Sequence, residues 1–78
     1  MNQIIKINLN EFDKIRRFIQ VAKSFVSDIE VTSGKDSVSG KSILELFNID
    51  LTKEVYAQID SDNTEELRNF DAAMEEFR

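Results

Sequence analysis

Residues 11–31 read EFDKIRRFIQVAKSFVSDIEV, and their hydrophobic periodicity changes once. Up to position 26, apolar side chains recur at steps of three and four, which is typical of one buried stripe on a helix. From Asp28 to Thr32, apolar and polar residues alternate, which is the period of a strand with one buried face. We therefore predict a helix over residues 11–26 followed by a strand. The stripe consists of Phe12, Ile15, Phe18, Ile19, Ala22, Phe25 and Val26.

A strand and a capping residue precede this helix. Residues 4–9 alternate, with Ile5, Ile7 and Leu9 on one side. Asn10 is a residue type that favours the N-cap of a helix, and we expect it to cap this one. The predicted order therefore begins with strand, helix and strand.

A hairpin and a short helix follow the second strand. The turn-forming residues 33–36 separate it from a short polar return strand around Val38, which we expect at an edge of the sheet. Ser42 and Glu45 match the capping box, in which the Ser oxygen accepts from the N3 amide and the Glu side chain reaches back to the Ser amide. They predict a short helix at the start of the most apolar segment, residues 42–51.

A fourth strand and a third helix complete the chain. Residues 53–60 alternate again, with Val55, Ala57 and Ile59 inward. The polar and acidic residues 62–66 favour a helix start, because carboxylates are stabilised at the positive end of the helix dipole. The buried face of this helix is expected to consist of Leu67, Phe70, Met74 and Phe77.

The predicted order is therefore β-α-β-β-α-β-α, with residues 1–78 forming a single domain. Each helix and the sheet have one apolar face to bury, and a two-layer α+β arrangement buries all of them together. We predict an open-faced sandwich with a four-stranded, mainly antiparallel sheet and three helices on one face. The other face of the sheet should be wet and should carry Lys6, Glu30, Thr32, Tyr56 and Gln58.

The composition excludes several kinds of chemistry. The 78 residues contain no Cys and no His, which excludes a disulfide, a thiolate or imidazole metal site and a Ser-His nucleophile. Gly40-Lys41-Ser42 resembles the end of a phosphate-binding loop, but the required first Gly is missing. The acidic run that begins at Asp60 resembles a calcium loop, but Glu65 stands where that loop needs Gly. We expect no metal, no cofactor and no enzymatic centre.

The charge is divided unevenly along the chain, whose net charge is −5. Residues 1–41 carry seven bases and five acids, whereas residues 42–78 carry three bases and ten acids. The acidic second half argues against binding to nucleic acid, which requires cations along the phosphates. No apolar run approaches the roughly 20 residues of a membrane span. We expect a soluble, monomeric, cytoplasmic domain with neither a nucleic-acid nor a membrane partner.

Three stretches of the sequence are informative together: residues 18–25 in the first helix, residues 27–31 in the second strand, and residues 38–46 (VSGKSILEL) around Ser42. With the length and the element order, they resemble the histidine-containing phosphocarrier (HPr) proteins of the bacterial sugar phosphotransferase system. The resemblance spans nearly the whole chain and runs without gaps over residues 18–60. It implies the HPr fold, and it places Ser42 on the regulatory serine of the family.

The chain departs from the family where the chemistry takes place. HPr proteins carry a phosphoryl group on a histidine at the N-cap of the first helix, next to an arginine. Without gaps, Glu11 falls on that histidine and Asp13 on the arginine, and a slip of one residue would place Asn10 on the histidine. Neither alternative supplies an imidazole. We therefore expect no phosphohistidine transfer and no catalytic residue.

The resemblance also implies a surface that docks partner proteins. Its apolar candidates are Ile43, Leu44 and Phe47, of which we expect Leu44 to be exposed and Phe47, like Leu46, to be buried. An exposed apolar patch on a small domain marks an interface. We expect basic residues to form a charged rim complementary to an acidic partner. They are Lys14, Arg16, Arg17 and Lys41.

Two interpretations of Ser42 and of the function remain open. Ser42 is either a helix cap alone or also a phosphorylation site for a dedicated serine kinase, as the resemblance implies. The first function is a non-carrier regulatory module that binds proteins of the sugar phosphotransferase or carbon-regulation machinery, like the HPr homologues that lack the histidine. The alternative is a scaffolding adaptor unrelated to sugar transport, in which Ser42 is only a cap.

Overall fold

The computed structural model describes residues 2–78, and the elements in this range follow the predicted order. The strands are β1 (Asn2–Ile7), β2 (Ile29–Ser33), β3 (Asp36–Ser39) and β4 (Val55–Asp60), and the helices are α1 (Phe12–Lys23), α2 (Ile43–Leu46) and α3 (Thr64–Met74). A short 3-10 helix, Glu75–Phe77, follows α3. The predicted open-faced α+β sandwich is confirmed. Within residues 2–78, no helix is long and apolar enough to cross a membrane.

The sheet has the order β1-β4-β2-β3, and every neighbouring pair is antiparallel. Its register aligns the inward side chains of adjacent strands, since Ile29 lies opposite Ile59 and Val31 lies opposite Ala57. These side chains are buried beneath the helices. The five polar residues predicted for the open face are exposed or only partly buried. The alternation along the strands therefore identified both faces correctly.

The core is built around aromatic side chains that come from separate elements. Phe18 of α1 and Phe77 of the 3-10 helix are fully buried and meet edge to face, with ring centroids 5.4 Å apart. Phe70 of α3 is also fully buried and packs edge to face on Phe25. The backbone N–H of Asn8 donates to the carbonyl of Phe77, which fixes the end of the chain beside β1. The predicted inner face of the last helix is confirmed, with Leu67 partly buried.

Helix α1 differs from its predicted bounds at both ends. Its N-cap is Glu11 and not Asn10, so the predicted cap is wrong. It ends at Lys23 and not at Val26, because the N–H and hydroxyl of Ser24 both donate to the carbonyl of Val21 and close the last turn. Val26 therefore lies beyond the helix and is 95% exposed, although the stripe predicted its burial.

The strand ends also differ slightly. β1 ends at Ile7 and β4 begins at Val55, whereas the alternation predicted strands over 4–9 and 53–60. Leu9 is nevertheless fully buried. Alternating burial thus continues past the point where the backbone leaves the sheet.

The capping box at α2 forms only in part. The Ser42 hydroxyl accepts from the N–H of Glu45 at 3.3 Å, as predicted. The predicted reciprocal bond, from the Ser42 N–H to the Glu45 side chain, does not form. That prediction is wrong, because the Ser42 N–H donates to the carbonyl of Ser39 instead. The carboxylate of Glu45 accepts from the N–H of Ser39 at 3.3 Å. The first turn of α2 therefore covers the last residue of the edge strand β3.

Candidate docking surface

Glu11 stands at the start of α1, in the position where the ungapped reading places the histidine of the HPr family. Its backbone is extended (φ −132°, ψ 146°), and its carbonyl accepts from the N–H of Ile15 at 3.1 Å. The Glu11 side chain is exposed and makes no capping hydrogen bond. A solvated carboxylate therefore occupies the N-cap, one residue after Asn10.

The side chain next to Glu11 is part of an aromatic stack. Phe12 lies parallel to Phe47, with ring centroids 5.7 Å apart and planes 15° apart. Their exposed fractions are 55% and 49%. The predicted burial of Phe47 is wrong, because α2 ends at Leu46 and Leu46 fills the core position. Phe47 instead packs over the first turn of α1. Phe12, which the stripe predicted to be buried, also lies outside the core.

Two further apolar side chains extend this stack along α2. Ile43 is 40% exposed and Leu44 is 76% exposed, so the predicted exposure of Leu44 is confirmed. They lie four and three residues before Phe47, which places them beside it on a helical turn. We call Phe12, Ile43, Leu44 and Phe47 the docking surface. An apolar patch of this kind on a soluble domain is typical of an interface.

Two of the predicted rim residues occupy different surroundings. The guanidinium carbon of Arg16 lies 5.9 Å from the centre of the Phe12 ring, a cation–π distance, so Arg16 borders the docking surface. Arg17 instead forms a bidentate pair with Glu76, at 3.0 and 3.3 Å. This hydrogen-bonded pairing raises the pKa of Arg17, with the charge of Glu76 as the second cause. Arg17 is therefore directed toward the 3-10 helix.

Lys41 and Lys14 are also constrained. The Lys41 ammonium donates to the backbone carbonyl of Phe25 at 2.7 Å, just after the end of α1. This contact joins the start of α2 to the loop that follows α1, so the Lys41 charge lies away from the aromatic stack. Lys14 is partly buried. Of the four predicted rim cations, Arg16 is the one with a contact to the docking surface in the part of the chain described.

Ser42 lies at the N-cap of α2 and is partly buried. Its hydroxyl oxygen accepts from the Glu45 N–H, which is a structural role. Within residues 2–78, no group of three or more Asp or Glu side chains is arranged so that it could hold a metal ion. In place of a calcium loop, Asn63 caps α3 by accepting from the Glu66 N–H at 2.9 Å.

Sequence reasoning did not identify Phe12 as part of this surface, nor the contacts that position α2. The indication for Phe12 was its position in the first turn of a helix, because a side chain at the end of a helix can extend beyond the edge of the core on which the helix packs. No pattern in the sequence indicates two hydrogen bonds, the one from Ser39 to Glu45 and the one from Lys41 to Phe25. Each depends on which elements lie side by side.

A curated sequence relative supports the resemblance stated above. The chain is 40% identical over 50 residues to the phosphocarrier protein HPr of Haemophilus influenzae. The match covers 64% of this chain and 59% of that protein, so it spans about three fifths of the length of the relative. No family model matches the chain.

Two solved structures have the same fold. The crystal structure of a phosphocarrier protein HPr from Bacillus anthracis superposes with a TM-score of 0.73 at 15% identity, covering 100% of this chain and 96% of that one. HPr-C-His from Thermoanaerobacter tengcongensis gives a TM-score of 0.68 at 20% identity, covering 96% of this chain and 91% of that one. The chain therefore resembles the HPr phosphocarrier family in sequence and has the HPr fold.

Proposed function

We propose that this chain is an HPr-like regulatory module of the bacterial sugar phosphotransferase or carbon-regulation machinery, which binds proteins but carries no phosphohistidine. One observation carries the proposal: Glu11 stands at the N-cap of α1 immediately beside the exposed docking surface. On the ungapped reading, Glu11 takes the position of the reacting histidine of the HPr family, while the apolar surface next to it remains available. The module acts in the cytoplasm, where the proteins of that machinery that it would bind are found.

The charges at this N-cap oppose a phosphoryl group. A phosphate carrying about −2 would meet the carboxylates of Glu11 and Asp13 at close range. The free amides of the first helical turn attract anions, but these carboxylates already supply negative charge there. Arg17, one turn further along, is paired with Glu76. No imidazole is available to accept a phosphoryl group, and Arg16, which lies over the Phe12 ring, would offset the two carboxylates only in part.

The docking surface supports the binding part of the proposal. Its four apolar side chains come from two elements that contact each other, so a partner meets a surface that is already formed. A few side chains near the centre of an interface, aromatic residues and Arg prominent among them, contribute most of its binding energy. Arg16 adds one cation at the border. We infer that the partners are proteins, without nucleic acid or membrane.

A transfer assay tests the absence of carrier activity. The protein is incubated with phosphoenolpyruvate and the general phosphotransferase enzyme, with an HPr protein as the positive control, and intact mass is measured. We expect the control to gain an acid-labile phosphoryl group and this chain to gain none. An acid-labile gain on this chain would refute the proposal.

A binding titration tests the docking surface. Wild type, Leu44→Asp and Val26→Asp are titrated against the general phosphotransferase enzyme and against candidate carbon-regulation proteins. Val26 is the matched control, because it is the more exposed side chain at 95% and lies outside the docking surface. We expect Leu44→Asp alone to lose affinity. Equal affinities for all three proteins would remove the docking surface from the proposal.

The second candidate function is a scaffolding adaptor outside sugar transport. The observation that favours it is that the Ser42 hydroxyl is already used as a helix cap. Incubation with the serine kinase of the phosphotransferase system and ATP distinguishes the two. A mass gain that Ser42→Ala abolishes supports regulation through Ser42. No gain, beside a family member that is phosphorylated, favours the adaptor.

A further inference from the structure

We propose that the docking surface also binds a second copy of this chain, in a weak two-fold dimer that hides the surface at high concentration. This inference rests on the proposed function, in that the same surface is taken to dock proteins. It departs from the monomeric domain expected from the sequence. Two features of the surface carry it: an apolar centre and a border with charges of both signs.

The apolar centre is suited to contact with itself. A two-fold interface presents the same patch from both copies, so the patch must be self-complementary. Here it is formed by the stacked rings of Phe12 and Phe47 together with Leu44, which is the most exposed of the four side chains at 76%. Four side chains are few compared with a standard interface of about 800 Å² per partner, so the contact is expected to be weak.

The border of the docking surface around Phe12 carries charges of both signs. Glu11 and Asp13 are exposed at the start of α1. Arg16 lies over the Phe12 ring one turn later and, within residues 2–78, forms no ion pair. If two copies of α1 meet in antiparallel orientation about a two-fold axis, Glu11 of each copy lies opposite Arg16 of the other. The chain thus supplies both members of two symmetric ion pairs.

This mixture of charges favours a second copy over a partner of one sign. A wholly acidic surface would meet the carboxylates of Glu11 and Asp13, and a wholly basic surface would meet Arg16. Like charges placed opposite each other in an interface weaken binding and exclude partners. A second copy provides apolar groups at the centre and sets one Arg16 against one Glu11 on each side of the two-fold axis.

Sedimentation velocity tests the dimer. Wild type, Leu44→Asp and Val26→Asp are compared at concentrations up to about 1 mM, which covers the Kd range of weak contacts, in about 0.15 M salt to screen the net charge of −5. We expect wild type and Val26→Asp to shift toward the dimer with concentration and Leu44→Asp to stay monomeric. A monomeric wild type throughout, or a Leu44→Asp dimer as strong as wild type, would overturn the inference.

A charge exchange tests the two-fold pairing. Glu11→Arg and Arg16→Glu are each expected to weaken the dimer roughly tenfold, because two surface pairs are lost and like charges meet. The double variant restores both pairs with their signs exchanged, so its Kd should return to near that of wild type. A double variant as weak as the single variants would show that these residues do not pair.

This outcome can be separated from that of the proposed function. If wild type stays monomeric while Leu44→Asp still loses affinity for a phosphotransferase protein, the dimer is wrong and the docking function stands. If wild type dimerises through this surface but binds no such protein, the dimer stands and the proposed function fails. Circular dichroism of each variant confirms that the loss of association is not a loss of folding.

Discussion

Phe12 and Phe47 lie parallel with ring centroids 5.7 Å apart, although each remains about half exposed. The contact joins the first turn of α1 to the end of α2. With four residues, α2 is far too short to be stable by itself. The Phe12 ring therefore holds one end of α2, and the Lys41 ammonium on the carbonyl of Phe25 holds the other.

Removing this stack should reveal a measurable coupling between the two rings. Phe12→Ala and Phe47→Ala are each expected to destabilise the protein, by less than the loss of a buried Phe since both rings are half exposed. In a double-mutant cycle, the coupling free energy should be about 0.5–1.5 kcal/mol, the range for aromatic pairs. Urea unfolding measures it.

The matched control pairs Phe47→Ala with Val26→Ala. Val26 is exposed and lies outside the docking surface, so these two effects should add. A coupling of zero between Phe12 and Phe47 would mean that the rings contribute nothing to holding α2.

The periodic parts of the fold could be predicted from the sequence, because they depend on burial along one element. The inner faces of β2 and β4 and the middle of α1 follow directly from steps of two and of three or four. The end of α1 could not be predicted in this way, since the spacing continues to Val26 after the helix has ended. Ser27, just beyond, is bound by the carboxylate of Glu66, 39 residues later in the chain.

Only part of the candidate site could be predicted from the sequence. Leu44 was correctly placed on the surface, but Phe47 was not, because a helix of four residues is too short for its pattern to define a face. Neighbouring arginines posed the same difficulty. Arg16 and Arg17 look equivalent in the sequence, and the partner that directs Arg17 away, Glu76, lies 59 residues further on.

Gly40 should not tolerate a side chain. A Cβ atom there would lie 2.8 Å from Cγ2 of Ile29 and 3.1 Å from Cε2 of Phe18, both of them buried core side chains. Gly40→Ala is therefore expected to destabilise the protein by about 1–3 kcal/mol through overpacking. Ser37→Ala, at an exposed position on β3, is the control and should have little effect. If chemical denaturation gives equal midpoints for both variants, the close approach at Gly40 is not a constraint.

The capping role of Ser42 can be isolated with a neutral replacement. Ser42→Ala removes the acceptor of the Glu45 N–H and should cost about 1 kcal/mol, as N-cap losses do. Ser42→Asn keeps an acceptor without adding charge, and its stability should stay near that of wild type. Thermal unfolding of the three proteins gives the comparison. Equal losses in both variants would show that the cap is not what stabilises this turn.

Glu66 should make the stability of the protein sensitive to acid. The hydroxyl of Ser27 donates to the Glu66 carboxylate, as do the Ser61 side chain and, at 3.1 Å, the Ser27 N–H, and these bonds lower the pKa of Glu66 from the ordinary 4.5 to about 2. Because the folded pKa lies below the unfolded one, the stabilisation is complete above pH 4.5 and is lost as the pH falls toward 2. Glu66→Gln should therefore be less stable than wild type at pH 7. The difference in the free energy of unfolding should shrink as the pH falls from 4.5 toward 2.

The control for this pH dependence is Glu65→Gln, which changes an exposed carboxylate in the same turn of α3. Its stability relative to wild type should vary little over the interval in which the Glu66→Gln difference shrinks. Denaturant unfolding at a series of pH values measures both differences. A Glu66→Gln difference that is constant with pH would show that the Ser27 bonds do not depend on the charge of Glu66. The loop after α1 would then owe its position to the packing of Phe25 on Phe70.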